Sequence, residues 1–318
     1  MRFAESLGLL LLTVVPLCGQ TGALIGFDFQ KGQVFAWGEG AYHWESPRGK
    51  PLRIAEGTFS AGGCAWDVDG DGLLDLIVNE TAPEPALVWY HAPDWKRRVI
   101  SKGIDSLDMI PAALLGHRGI LLIHKRMQVR FFDAPKLLDA TWTETELYSF
   151  YTPSHEGGLV LADIDGDGRL DVLAGNYWMQ SPEAWELPWH LFAIDTWTER
   201  AESAQLSLLW MNGARLAAQR SASPARLAWF EPAPDRKQLW SQYPLAEELQ
   251  LESVALAALE GGRFLAVERA GKGRWLLFAK DHSYRQIRAG EPVLGVRDLG
   301  GNRVLAIRRN GIEVVTIQ

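Results

Sequence analysis

The chain has 318 residues, 47% of them apolar, which suffices for a full core and argues against intrinsic disorder. Its formal net charge is −7, with 32 basic and 39 acidic residues and no dense basic run, so the balance disfavours a nucleic-acid binder. Two cysteines give no disulfide framework, because Cys18 falls inside the leader and leaves Cys64 alone.

Residues 1–23 read as an export signal. Arg2 supplies the positive end, Leu7 to Leu17 the apolar stretch and Thr21-Gly22-Ala23 a small-residue cleavage site. The stretch is too short to span a bilayer. A buried first strand is the alternative. Leu17 stands before Cys18 where lipid attachment wants a small residue, which argues against an anchor there. No later segment is long and apolar enough to be transmembrane. The expectation is one domain over residues 24–318, working outside the cytoplasm as a secreted, periplasmic or cell-surface protein.

Along the mature chain, an aromatic or apolar strand runs into a proline again and again. The copies are Tyr42-His43-Trp44-Glu45-Ser46-Pro47, Trp89-Tyr90-His91-Ala92-Pro93, Phe131-Phe132-Asp133-Ala134-Pro135, Trp178-Met179-Gln180-Ser181-Pro182 and Trp229-Phe230-Glu231-Pro232. Their prolines fall 42 to 50 residues apart. Trp275-Leu276-Leu277-Phe278-Ala279 and Ile312 to Ile317 continue the rhythm without proline. A hairpin precedes each later copy. Two hairpins carry acidic loops; the others turn at Leu115-Gly116, Met211-Asn212-Gly213, Glu260-Gly261-Gly262 and Gly300-Gly301-Asn302, where glycine supplies positive φ. Outer strands are predicted at Trp95–Ile100, Leu191–Ile194 and Tyr284–Ile287. Glu247–Leu259 has helix-friendly composition, but the period places a loop and an inner strand there.

One unit is therefore four short strands in about 46 residues. A lone sheet of this kind cannot bury both faces, whereas sheets set radially bury each face against a neighbour. That is an all-β fold, a β-propeller of four-stranded blades. Seven third-strand segments predict seven blades, with six or eight as alternatives. The last unit lacks an outer strand, and Leu24–Phe29 is expected to pair there and close the ring.

The acidic loops carry the chemistry. Asp67-Val68-Asp69-Gly70-Asp71-Gly72-Leu73-Leu74-Asp75 recurs 96 residues later as Asp163-Ile164-Asp165-Gly166-Asp167-Gly168-Arg169-Leu170-Asp171. Each places four carboxylates at positions 1, 3, 5 and 9. Anions this close repel unless a cation sits among them, and hard oxygen ligands suit Ca²⁺. An EF-hand is rejected, because position 12 is Val78 or Ala174 instead of glutamate, and the flanks alternate like strands. Two metal-free acidic turns are the alternative.

This motif, set between apolar strands and followed by a Trp-Tyr-x-x-Pro-type strand, resembles the FG-GAP/VCBS repeat proteins and the calcium loops of integrin α-subunit propellers. The resemblance implies two structural Ca²⁺ ions. Asp67, Asp69, Asp71 and Asp75 would hold one with the Leu73 carbonyl; Asp163, Asp165, Asp167 and Asp171 would hold the other with the Arg169 carbonyl. The family spans adhesion proteins, lectins and some polysaccharide lyases, so it fixes no activity.

Of the 14 tryptophans, Trp89, Trp178, Trp229 and Trp275 share one place in the repeat and are expected to pack between blades. Trp95, Trp185, Trp189 and Trp240 lie just past the turn, where an indole either packs or stands exposed for a sugar face. Ligands are expected on the face built by loops from outer to inner strand: Phe59-Ser60, Asp105 to Asp108, Tyr151 to Glu156, Glu252-Ser253 and Glu291. His155 with Glu156 or Asp108 are the acid–base candidates. A water-filled polar channel mouth is the alternative. No nucleophile motif, phosphate loop or zinc spacing is present. The first functional reading is a non-catalytic binding module for a glycan or an extracellular protein. The alternatives are a polysaccharide lyase and a structural surface component.

Overall fold

The computed structural model describes residues 21–125, 128–135, 141–150, 158–195, 207–211, 215–222 and 225–317. Residues 1–20, and with them Cys18 and most of the expected leader, lie outside this set, as do His155, Glu156 and the turn at Asn212-Gly213.

Among the described residues, strands form six antiparallel sheets. The first has six strands: β1 (Leu24–Gln30), β2 (Gln33–Trp44), β3 (Leu52–Trp66), β4 (Asp75–Glu80), β5 (Ala86–His91) and β6 (Lys96–Lys102). Four four-stranded sheets follow. The second holds β7 (Ser106–Leu114), β8 (His117–His124), β9 (Gln128–Asp133) and β10 (Thr143–Ser149). The third holds β11 (Leu159–Ala162), β12 (Asp171–Ala174), β13 (Tyr177–Gln180) and β14 (His190–Ala193). The fourth holds β15 (Leu208–Met211), β16 (Arg215–Ala222), β17 (Ala225–Glu231) and β18 (Ser241–Leu245). The fifth holds β19 (Val254–Leu259), β20 (Arg263–Glu268), β21 (Trp275–Phe278) and β22 (Tyr284–Arg288). The last sheet has three strands, β23 (Gly295–Gly300), β24 (Arg303–Arg308) and β25 (Gly311–Thr316).

The fold is an all-β propeller, but six sheets replace the seven separate blades expected from the repeat. The reason lies in β2 and β3. The Tyr42–Pro47 segment does not form a strand of its own; its first residues continue β2 through a bulge at Gly40, where φ is +96°. The first half of β3 then pairs with β2, with Leu52 opposite His43 and Thr58 opposite Glu39. Its second half pairs with β4, with Gly63 opposite Val78 and Trp66 opposite Asp75. One strand thus serves as outer edge of the first repeat and inner strand of the second, and the two units merge.

Ring closure also differs from expectation. β1 pairs with β2, from Leu24 opposite Gly38 to Gln30 opposite Gln33, and leaves the last sheet three-stranded. Closure comes from packing instead. Leu24, Val34 and Trp44 share a core with Leu305, Ile307 and Ile312 of the last sheet, and the Leu24 amide donates to the Arg309 carbonyl at 2.9 Å.

The remaining sheets pack as the repeat predicts. Trp89 is buried against Ile120 and Phe132 of the next sheet, Trp178 against Phe230 and Trp240, Trp229 against Phe264 and Leu276, and Trp275 against Val304 and Val315. Burying a side chain of this size is worth on the order of 2–3 kcal/mol, so this shared position is a main source of cohesion between sheets. Residues 254–259 are strand β19, as the period required against their helix-friendly composition. Inner strands β1, β3, β7, β11, β15, β19 and β23 follow one another around the axis and line a central cavity. No helix among the described residues is long and apolar enough to cross a membrane.

Candidate functional site

The two acidic loops occupy equivalent places, between β3 and β4 and between β11 and β12, each at the end of an inner strand. Their hydrogen bonds repeat almost bond for bond. The first aspartate organises the turn: Asp67 Oδ1 accepts from the Gly70 amide at 2.8 Å and Oδ2 from the Gly72 amide at 3.1 Å. Asp163 does the same with Gly166 at 2.8 Å and Gly168 at 3.0 Å. Residue 7 of each loop, Leu73 or Arg169, donates its amide to Oδ1 of residue 5, Asp71 or Asp167, at 2.8 Å. These glycines have φ from +74° to +93°, which explains their presence, since open space surrounds each and no neighbour would meet a Cβ.

Position 9 behaves differently from the other acids. Asp75 and Asp171 are buried, at 1% and 0% exposure. Asp75 accepts from the amides of Val68 at 3.1 Å and Ala92 at 2.8 Å. Asp171 accepts from the amides of Ile164 at 3.2 Å and Ser181 at 2.8 Å, and from the Trp178 indole at 2.9 Å. Burial pushes both carboxyls up to about 6, against the pull of those hydrogen bonds. They tie each loop to the chain just past β5 or β13 and are not drawn into the acidic cluster.

The groups that do converge are Asp69, Asp71 and His91 in the first loop, and Asp163, Asp165 and Asp167 in the second, each set with ligating atoms within 4.8 Å of one another. His91 was not picked out from the sequence. It ends β5 beside the loop, with Nε2 3.0 Å from Asp69 Oδ2. The repeat itself could have found it, since His91 and Gln180 stand two residues before Pro93 and Pro182, and Gln180 donates to Asp165. Cations already balance part of the charge. Lys31 Nζ is 3.9 Å from Asp67, Arg169 pairs with Asp167, and Arg118 caps the Asp67 and Val68 carbonyls while lying 4.0 Å over the Trp66 ring. The second loop offers oxygen donors alone and fits a hard cation. The first mixes oxygen with an imidazole nitrogen, a set less selective for calcium.

The opposite face, where inner strands begin, holds the described part of the expected ligand loops; residues 151–156 lie outside the described residues. Of the acid–base candidates, Asp108 is described and lines the axial cavity, whose volume is about 580 Å³. Its Oδ2 accepts from the amides of Gly158 at 2.7 Å and Leu159 at 3.0 Å, and burial raises its pKa against those bonds and the nearby Arg269 and Arg297. Phe59 packs into the core against Tyr90, and Ser60 Oγ donates to the Ser106 carbonyl at 2.8 Å, so neither is a free rim group. Glu252 and Glu291 stay exposed. Trp189 and Trp240 are buried; Trp185 stacks on His117 at 4.0 Å, and Trp95 packs beside His43. None of these four indoles is fully exposed for a sugar face.

Other residues of the cavity wall escaped sequence analysis: Asp28, Cys64, Arg269 and Arg297. Cys64 is a free buried thiol whose pKa burial pushes well up, with Asp28 and Asp108 adding to the effect.

The architecture defines a β-propeller, and solved structures agree. The chain is similar to YCF48 from Cyanidioschyzon merolae, with 12% identity, TM-score 0.61, and 95% of this chain and 97% of that one covered. It is similar to the β-propeller domain of Cps50 (Swd1) from Myceliophteria thermophila, with 12% identity, TM-score 0.64, and coverage of 95% and 99%. The WD40 β-propeller domain of Doa1 aligns with 8% identity, TM-score 0.62, and 95% of each chain. At these identities the likeness is one of fold. No protein-family model and no curated protein matches the chain.

Proposed function

We propose that this protein is an exported, calcium-stabilised propeller of the FG-GAP/VCBS type that acts as a non-catalytic binding module for a glycan or an extracellular protein. The observation that carries the reading is the shared hydrogen-bond frame of the two acidic loops, which holds three carboxylates toward one point in the second loop and two beside His91 in the first. Two loops with one geometry at equivalent places suit a common ligand, and a hard divalent cation matches their donors. The ions would sit in the hairpins between β3 and β4 and between β11 and β12 and stabilise the ring, leaving the opposite face for a partner. The axial cavity supports the binding role, because it is polar, open to solvent and lined by most of the ring.

Calorimetric titration of CaCl₂ into chelator-treated protein is expected to show two sites, the all-oxygen loop binding more tightly. Absence of any binding heat would contradict the calcium assignment. A glycan array and an activity screen on uronic-acid polysaccharides, run side by side, test the module. Binding without turnover is expected; turnover that disappears in a folded His155→Ala variant would replace this reading with an enzymatic one.

A further inference from the structure

The axial cavity is lined by charges of both signs: Arg269, just past β20, Arg297 on β23, Asp28 on β1 and Asp108 on β7. The Arg269 main chain is fixed by an amide bond to the Ser253 carbonyl at 2.6 Å. Its guanidinium makes no hydrogen bond to any described residue, and its Nε is sealed from solvent without a partner. Burial lowers the Arg269 pKa, Asp108 opposes the shift and Arg297 adds to it. Arg297 lies 4.9 Å over the Phe27 ring and has one hydrogen bond, to the Val296 carbonyl at 3.1 Å. Neither arginine pairs with a described carboxylate.

The carboxylates are unequal. Asp28 has both oxygens engaged, by the Phe29 amide at 2.7 Å and the Ala65 amide at 2.9 Å. Asp108 has Oδ2 engaged twice, while Oδ1 accepts from no described residue. The cavity wall therefore presents a sealed Arg269 Nε without an acceptor, the solvent-exposed Arg297 guanidinium beside it on the wall, and an Asp108 oxygen that accepts from no described residue. A buried cation left without an acceptor is costly. A simple anion would satisfy the arginines and be repelled by Asp108. A neutral sugar would satisfy Asp108 and leave the arginines bare. A molecule carrying both a carboxylate and a hydroxyl answers both, and arginine forks suit carboxylates.

We propose that the axial cavity binds a hydroxy-carboxylate the size of one or two sugar rings, its carboxylate held by Arg269 and Arg297 and a hydroxyl donated to Asp108. The proposal rests on the binding-module reading and names its ligand class.

The test is calorimetry on the full chain in calcium, with four probes. D-Glucuronate supplies the cyclic hydroxy acid, D-gluconate the open-chain one, D-glucose the neutral ring and acetate the bare carboxylate. One hydroxy acid is expected to bind at least about tenfold more tightly than glucose and acetate, and which one tells ring from open chain. Arg297→Gln should weaken it by about tenfold or more, Arg297→Lys less, and Asp108→Asn should weaken it while sparing acetate. Arg269→Gln should match Arg297→Gln; if its melting curve shows misfolding, Arg297→Gln carries the test. Glucose binding as tightly as the acids, unchanged affinity in folded Arg297→Gln, or no heat from either acid at millimolar concentration overturns the proposal. Glycan or protein binding that survives Arg297→Gln overturns it while leaving the binding-module reading in place.

Discussion

Asp165 separates the two jobs of an acidic loop. Its Oδ1 accepts from the Asp167 amide at 3.3 Å, a bond that asparagine can keep, and its Oδ2 accepts from Gln180, a bond that an asparagine amide nitrogen cannot. Asp165→Asn is therefore expected to lower the melting temperature in chelator only slightly and to remove roughly half of the calcium-induced rise, measured by scanning calorimetry. A second residue-scale prediction concerns His124, which is buried on β8 and accepts the Asp105 amide at Nδ1, 3.2 Å away. Burial, with Arg130 and Lys125 nearby, lowers its pKa to about 4. The folded value lies below the ordinary histidine value, so the fold favours the neutral ring. Its contribution is complete above about pH 6.5 and is lost as pH falls toward 4. His124→Asn keeps an acceptor for the amide and cannot charge. Urea unfolding across that window should show a flatter acid limb than the wild type. An unchanged limb would show that His124 does not titrate with folding.

At the scale of elements, Trp178 joins a strand to an acidic loop through its indole bond to Asp171. Trp178→Phe keeps the ring against Phe230 and Trp240 but removes a donor from a buried carboxylate, a loss of about 1–3 kcal/mol by chemical denaturation. Most strands were legible, because aromatic residues and proline recur in step and glycine marks each turn. The β19 segment shows why period outranks composition: its neighbours on both sides demanded a strand. Legibility failed where the backbone departs from the repeat. Gly40 and Gly57, at φ +96° and +120°, let β2 and β3 run on through places where the pattern placed breaks. It failed again in the cavity, where Asp28, Arg269 and Arg297 lie far apart in sequence and carry no motif. Reading inward-facing charges off the inner strands would have recovered Asp28 and Arg297; Arg269, past the end of β20, needed the fold.

At the scale of the molecule, the ring closes mainly through side chains, with one main-chain bond from Leu24 to Arg309, β1 engaged to β2 and the last sheet left three-stranded. Phe27 is central to that contact, since a Cβ added at Gly295 would lie 2.2 Å from its ring. Gly295→Ala should therefore destabilise the whole ring by about 1–3 kcal/mol, seen as a lower urea midpoint with an unchanged slope. A lower slope instead would mean that the sheets no longer unfold together. The proposed calcium ions would act at the same scale, because each loop joins two strands of one sheet and Arg118 ties the first loop to the sheet beside it. The most direct measurement is the melting temperature of calcium-loaded protein before and after excess EGTA. A marked fall is predicted, corresponding to about 2.7 kcal/mol per site when free calcium stands a hundredfold above Kd. Superimposable curves from protein shown to be loaded beforehand would contradict the account.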